Sequence, residues 1–212
     1  HAFQVGRDGR LTERRLVQLP ETNPGYKYKD MDGVPSMPLG IWAHPMEPLL
    51  YVGFVTRNEL GVYRFNKEGA MTFLGSVPNS GQDICWVLPN KGGTRLYTIN
   101  NLPRTDKDEK AATVSSYDIS GERAVKPIEI SRLQLPHPGE WFINNRMFSQ
   151  PGSTAFQCAL SPDETFLYVI CQRINQTDEN KSEEGNILHS LRLDDQGIPS
   201  IAHSRHLGQD GV

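Results

Sequence analysis

Asp83 stands directly after Gln82 and just ahead of a strand-like run, Ile84 to Leu88, at a border where a carboxylate can take a proton from water or return one to a leaving oxygen. Arg57, Arg104 and Arg173 follow the ends of other apolar runs, and a guanidinium grips a carboxylate or phosphate through a fork of N–H donors. The amides of Gln82, Asn100, Asn101 and Gln172 fall at the same kind of border. Asp83 and Arg173 are therefore the expected catalytic pair. Arg57, Gln82, Asn100, Asn101, Arg104 and Gln172 are the expected substrate contacts. His44 is a tempting imidazole, but it immediately precedes Pro45, in the place that Leu88 and Ser161 hold before Pro89 and Pro162, so a turn-packing role is expected for it.

The elements that must position these groups are repeated. A small or apolar run, a proline, a short polar turn and then Leu-Tyr with a β-branched residue occur three times: IWAHPMEPLLYV (Ile41 to Val52), CWVLPNKGGTRLYT (Cys85 to Thr98) and CALSPDETFLYV (Cys158 to Val169). Each copy is followed by a second strand-like pair with its own turn, VYRFNKEGAMTFLGSV, SSYDISGERAVKPIEI and HSLRLDDQGIPSIAHS. Self-similarity at roughly 40 to 50 residues marks a propeller or similar array. Proline fixes φ and donates nothing to a ladder, and Gly with Asn or Asp between apolar runs reads as a hairpin. Each unit thus predicts four antiparallel strands, a to d, which is one propeller blade.

The predicted fold is all-β, a β-propeller of four-stranded antiparallel blades. The units divide as a half blade over 1–20, blades over 37–80, 81–132 and 154–212, and an insertion over 133–153 rich in Pro, Gly and Asn. That makes about 3.5 blades, whereas closed propellers have roughly four to eight. The expectation is a piece of a larger ring, the alternatives being a second copy or a partner that closes it; His1 in place of an initiator Met agrees with a processed or partial chain. The insertion carries His137, Glu140, Trp141, Asn144, Asn145 and Arg146, a mixture that suits a loop capping a channel or reaching a neighbour.

Composition narrows the function classes. With 22 basic and 25 acidic residues and a net charge of −3, nothing suggests nucleic acid or an anionic membrane as partner. No apolar run approaches the ~20 residues of a membrane-spanning helix. Cys85, Cys158 and Cys171 make no Cys-x-x-Cys pair; Cys85 and Cys158 each stand four residues before a proline, where the first copy has Ile41, and are expected as packed core residues. The histidines His137, His189, His203 and His206 show no metal-site spacing, so no metal is expected. GxGxxG, GxxxxGK[ST] and GxSxG are absent, and no cofactor is expected. Asn175-Gln176-Thr177 and Asn180-Lys181-Ser182 are glycosylation-type triplets that matter only in a secreted eukaryotic protein.

PLGIWAHP at Pro38 to Pro45, the LYV block after it, the VYRFNKEGAMTFLGSV hairpin and SPDETFLYV at Ser161 to Val169 resemble the lactonase family of seven-bladed propellers. That family includes the propeller type of 6-phosphogluconolactonase and is similar to the fungal carboxymuconate cyclase. The resemblance implies a seven-bladed ring whose innermost strands line a channel, with a small lactone or acidic sugar derivative bound at its mouth and hydrolysed there without a cofactor. Family members often carry a Gly-Pro-Arg-His stretch before the innermost strand. Here the corresponding pairs read Leu39-Gly40, Asp83-Ile84 and Phe156-Gln157, so either the catalytic pair lies in other blades or the fold serves as a non-catalytic scaffold for a protein or ligand partner.

Overall fold

The computed structural model describes residues 2–15, 37–103, 111–136, 142–143, 149–150, 153–173 and 186–207. Strands β1 (Ala2–Val5) and β2 (Leu11–Arg15) form a lone hairpin. The first blade contains β3 (Pro38–Ala43), β4 (Leu49–Phe54), β5 (Glu59–Phe65) and β6 (Met71–Pro78). The second contains β7 (Gln82–Pro89), β8 (Arg95–Leu102), β9 (Thr113–Asp118) and β10 (Ile128–Gln134). A small ribbon of β11 (Phe142–Ile143) and β12 (Ser149–Gln150) precedes the third blade, β13 (Ser153–Leu160), β14 (Phe166–Arg173), β15 (Ile187–Leu193) and β16 (Pro199–His206). Every blade is an antiparallel meander in chain order, and the fold is a partial propeller. Among the described residues no helix is long and apolar enough to cross a membrane.

Local chemistry builds the hairpins as the sequence suggested. In the turn between β5 and β6 the Asn66 side-chain oxygen accepts the N–H groups of Glu68 (3.1 Å) and Ala70 (2.8 Å), and Gly69 takes φ 75°. The Asp194 carboxylate does the same for Gln196 and Ile198 between β15 and β16, with Gly197 at φ 73°. A short polar side chain that mimics a turn carbonyl, followed by a glycine in the left-handed region, reverses the chain without strain. The second blade departs from this: its β9–β10 connection is a single-turn 3-10 helix, Gly121–Ala124.

Apolar side chains fill the spaces between blades. Leu49, Tyr51, Leu60 and Val62 of the first blade meet Ile84, Val87, Leu96 and Tyr117 of the second. Cys85, Tyr97, Ile99 and Val114 of the second meet Ala155, Leu167, Val169, Cys171, Ile187 and Leu191 of the third. The repeat's tyrosine ties these interfaces together. Tyr51 donates its hydroxyl to the Ala124 carbonyl (3.0 Å) in the β9–β10 connection, and Tyr97 donates to the Gly197 carbonyl (3.1 Å) in the β15–β16 turn. The third copy, Tyr168, stands 36% exposed on the far face of the third blade. Tyr97→Phe should therefore cost about 1 kcal/mol in urea unfolding, the net value of one buried hydrogen bond. Tyr168→Phe should leave the urea midpoint of this chain unchanged.

Pairing corrects the alignment of the repeats. Ile41, Val87 and Cys158 face Val52, Thr98 and Val169 respectively, so Val87, not Cys85, matches Ile41 and Cys158. The prolines are misleading landmarks: Pro45 and Pro162 lie inside their turns, whereas Pro89 is the last paired residue of β7, opposite Leu96. The residues that begin the three turns are His44, Asn90 and Ser161. Each caps its own turn: His44 Nδ1 accepts from Met46 and Glu47 N–H, Asn90 Oδ1 from Thr94 and Arg95 N–H, and Ser161 Oγ from Phe166 N–H. With Nδ1 accepting, His44 Nε2 carries the proton and donates to the Gly93 carbonyl (3.1 Å) of the next blade. His44 thus has the turn-packing role expected of it.

Candidate active site at the junction of the first two blades

Each innermost strand carries a β-bulge near its start, between Pro38 and Ile41 in β3, Ile84 and Trp86 in β7, and Ala155 and Gln157 in β13. Bulges bend a strand and re-aim its side chains, and they gather beside functional sites. With the corrected register, the three matching pairs at the bulges are Leu39-Gly40, Cys85-Trp86 and Phe156-Gln157, and Asp83 lies two residues nearer the strand's beginning.

Asp83 is held where that beginning meets the first blade. After β4 the chain makes one 3-10 turn, Val55–Arg57, and enters Asn58, which adopts the left-handed conformation (φ 49°, ψ 49°) before β5. The Asn58 carbonyl accepts the Asn79 N–H (2.8 Å), and its side-chain Oδ1 accepts the Asp83 N–H (2.8 Å). Asp83 is itself left-handed at φ 60°. Asn and Asp tolerate this region better than other non-glycine residues, and such conformations concentrate at functional sites. Only 8% of Asp83 is exposed, and burial pushes its carboxyl up from 3.8 to about 7. Desolvation disfavours the charged form, so the group is poised to change protonation near neutral pH.

Arg57 ends the same turn, 6% exposed, with its guanidinium 5.9 Å from the Phe54 ring centroid. Gln82 is also buried, at the first position of β7. The fold therefore brings Arg57, Gln82 and Asp83 to one buried junction between the first two blades. It adds Asn58, which sequence reasoning missed; its signal was an Asn-Glu step, Asn58-Glu59, in a short connection between two apolar runs, a place where asparagine favours left-handed backbone.

The other expected contacts are distributed differently. Asn100 is fully buried inside the second blade: it accepts from Asn79 Nδ2 (2.8 Å) and donates to Thr113 Oγ1 and Ser115 Oγ (3.0 Å each). Tyr117 joins through Asn79 Oδ1 (2.8 Å). This network gives Asn100 a structural role between the sheets, where its amide is occupied. Asn101 is half-buried, and its backbone carbonyl accepts the Thr154 hydroxyl across the second blade junction. Gln172 is exposed and lines a cleft of about 460 Å³ on the third blade with Phe156, Gln157, Ile170, Cys171, Asn186 and Leu207. Arg173 closes β14 opposite Ser153, and its side chain lies outside what the structure describes. Arg104 and the insertion residues His137, Glu140, Trp141, Asn144, Asn145 and Arg146 lie outside the described residues, as do both glycosylation-type triplets.

The cysteines are free thiols packed in the core or against it, and burial pushes Cys85 and Cys171 up to about 12, far from a reactive thiolate. His189 is buried with Nδ1 2.8 Å from Ser204 Oγ, and His203 is exposed. Among the described residues no group of three His, Cys, Asp or Glu could hold a metal ion.

Three four-stranded antiparallel blades and a two-stranded hairpin make a partial β-propeller, a fold that this chain shares with solved lactonase structures. Solved structures with this fold include a protein from Lactobacillus plantarum (15% identity, 95% of this chain and 49% of that one, TM-score 0.69). The periplasmic gluconolactonase of Pseudomonas aeruginosa aligns at 17% identity over 96% of this chain and 49% of its own, with a TM-score of 0.65. A 6-phosphogluconolactonase candidate from Bacteroides fragilis aligns at 15% identity over 97% and 51%, with a TM-score of 0.64. The chain spans about half the length of these proteins. No family model and no curated protein matches the sequence.

Proposed function

We propose that the protein belongs to a ring that hydrolyses a lactone, a small cyclic ester or acidic sugar derivative, with Asp83 as the proton carrier. The carrying observation is the buried Asp83 carboxyl, poised near neutrality at the start of an innermost strand. Water attacks the ester carbonyl carbon while the Asp83 carboxylate accepts its proton; the C–O bond of the ring then breaks, and the proton passes to the departing ring oxygen. Lactone and water give one hydroxy acid, and Asp83 returns to its starting state. Arg57 is suited to an acidic group on the substrate, with Arg104 as a further candidate, and Arg173 is the proposed catalytic partner of Asp83. Gln82, Asn101 and Gln172 complete the proposed contacts. The remaining blades come from a longer chain or a second copy.

A second reading is favoured by one observation: all three bulge pairs, Leu39-Gly40, Cys85-Trp86 and Phe156-Gln157, lack the Arg-His of lactonase propellers. On that reading the rim binds a protein or ligand and does no chemistry. Acid release from a panel of sugar δ-lactones, including 6-phosphogluconolactone, separates the two. Turnover that rises with pH through about 7 supports hydrolysis by Asp83. No turnover across the panel, together with a reproducibly captured ligand, supports the scaffold.

A further inference from the structure

The junction that holds Asp83 contains a polar group that no described residue bonds. Asn58 is 3% exposed, and its Nδ2 is buried without a hydrogen-bond partner. An unsatisfied buried donor is costly, and natural folds keep few of them. This one is also locked in place. Oδ1 of the same amide accepts the Asp83 N–H, the Asn58 carbonyl accepts the Asn79 N–H, and the Asn58 N–H bonds the Val55 carbonyl (3.4 Å). Because Oδ1 must face the Asp83 N–H, the amide cannot flip to hide Nδ2, which is fixed one amide width from the point where Asp83 enters β7.

The junction of the second and third blades leaves a different group over. The pairing register places Thr154 where Asp83 stands, and Thr154 donates its hydroxyl to the Asn101 backbone carbonyl, while the Asn101 side-chain oxygen, an acceptor, is the atom left without a partner there. At the first junction the Asp83 backbone N–H is tied to the Asn58 side-chain oxygen, and what is left over is an N–H₂ donor. A rigid donor beside a proton carrier is the pair that acyl chemistry requires: one group moves the proton, and the other bonds the oxygen on which negative charge develops.

We infer that Asn58 is the second working group of the site, holding Asp83 through Oδ1 and donating through Nδ2 to the carbonyl oxygen of the bound ester. The inference rests on the hydrolytic reading above. The missing partner of Nδ2 is then an oxygen of the ligand, and the left-handed backbone of Asn58 is the conformation that lets a single amide serve both neighbours.

Asn58→Asp keeps an oxygen acceptor for the Asp83 N–H and deletes the donor. Its kcat on a lactone that the wild type hydrolyses should fall about 100-fold, as for loss of one oxyanion donor, with KM little changed. Its added carboxylate should also move the midpoint of the pH–rate profile upward, since like charges disfavour ionisation. Asn58→Gly permits the same backbone without the amide, so it should fold and lose kcat at least as severely. A parallel titration with unreactive δ-gluconolactam, read by the side-chain amide resonance of Asn58, should shift that resonance. Wild-type kcat in Asn58→Asp would overturn the assignment and leave the hydrolytic reading standing. No lactone turnover, but a lactam-dependent shift at Asn58, would sustain Asn58 as the donor and overturn hydrolysis. Neither turnover nor shift would overturn both.

Discussion

Asp83→Asn is expected to reduce lactone turnover by about 10²- to 10⁴-fold, the usual contribution of a positioned general acid–base, and to erase the rise in rate through neutral pH. The same substitution should raise stability in mildly alkaline solution. In the folded chain burial holds the Asp83 carboxyl up at about 7, whereas the unfolded chain ionises near 3.8. The folded state therefore keeps a proton that the unfolded state has released. By linkage, the stability linked to this group is fully present below about 3.8, is lost as pH rises, and has gone above about 7. The loss has an upper bound of about 4 kcal/mol, from about 1.4 kcal/mol per pKa unit. Asparagine has no charge to bury, so the variant should keep its stability at pH 8 where the wild type has lost it. Urea unfolding at pH 5 and pH 8 measures this directly: equal pH dependence in wild type and variant would show that Asp83 ionises normally. A general base bought at the expense of stability is common at active sites.

The largest structural effect is expected from Asn100→Ala. The substitution removes the acceptor used by Asn79 Nδ2 (2.8 Å) and the donors used by Thr113 and Ser115 (3.0 Å each), in a region where Asn100 itself has no exposed surface. Because buried polar networks fail together, the cost should be about 3 kcal/mol or more. Turnover per folded molecule should stay at the wild-type value, which would distinguish the network role from a substrate contact. Substantial loss of kcat with unchanged stability would return Asn100 to the site.

The repeated Leu-Tyr block made the blades legible, because a strand pair that must bury one face against an identical neighbour leaves its period in the sequence. The turns were equally open, since Asn66 and Asp194 act through their own side chains on backbone two to four residues away. Register was not. Counting from the prolines placed Cys85 beside Cys158 in the repeat, and only the ladder, with Val87 opposite Thr98 and Cys158 opposite Val169, reveals the two-residue offset. Proline marks a strand end as readily as a turn. In the candidate site Asp83 and Arg57 could be singled out by charge and place. The partners of Asn100 and Asn58 could not, because they are set by which face of a strand or which end of a turn points inward. One residue of slip reverses that face.

The tyrosine ties have a direction. Tyr51 and Tyr97 each reach forward to a carbonyl in the connection between the third and fourth strands of the blade that follows, so the second blade receives on one side and donates on the other. Two third blades placed face to face would oppose Tyr168 to Tyr168 and could not make this bond. Any surface that joins this one in the same manner must present a receiving turn, so growth of the array is head-to-tail, and closure requires the last donor to meet the first receiver.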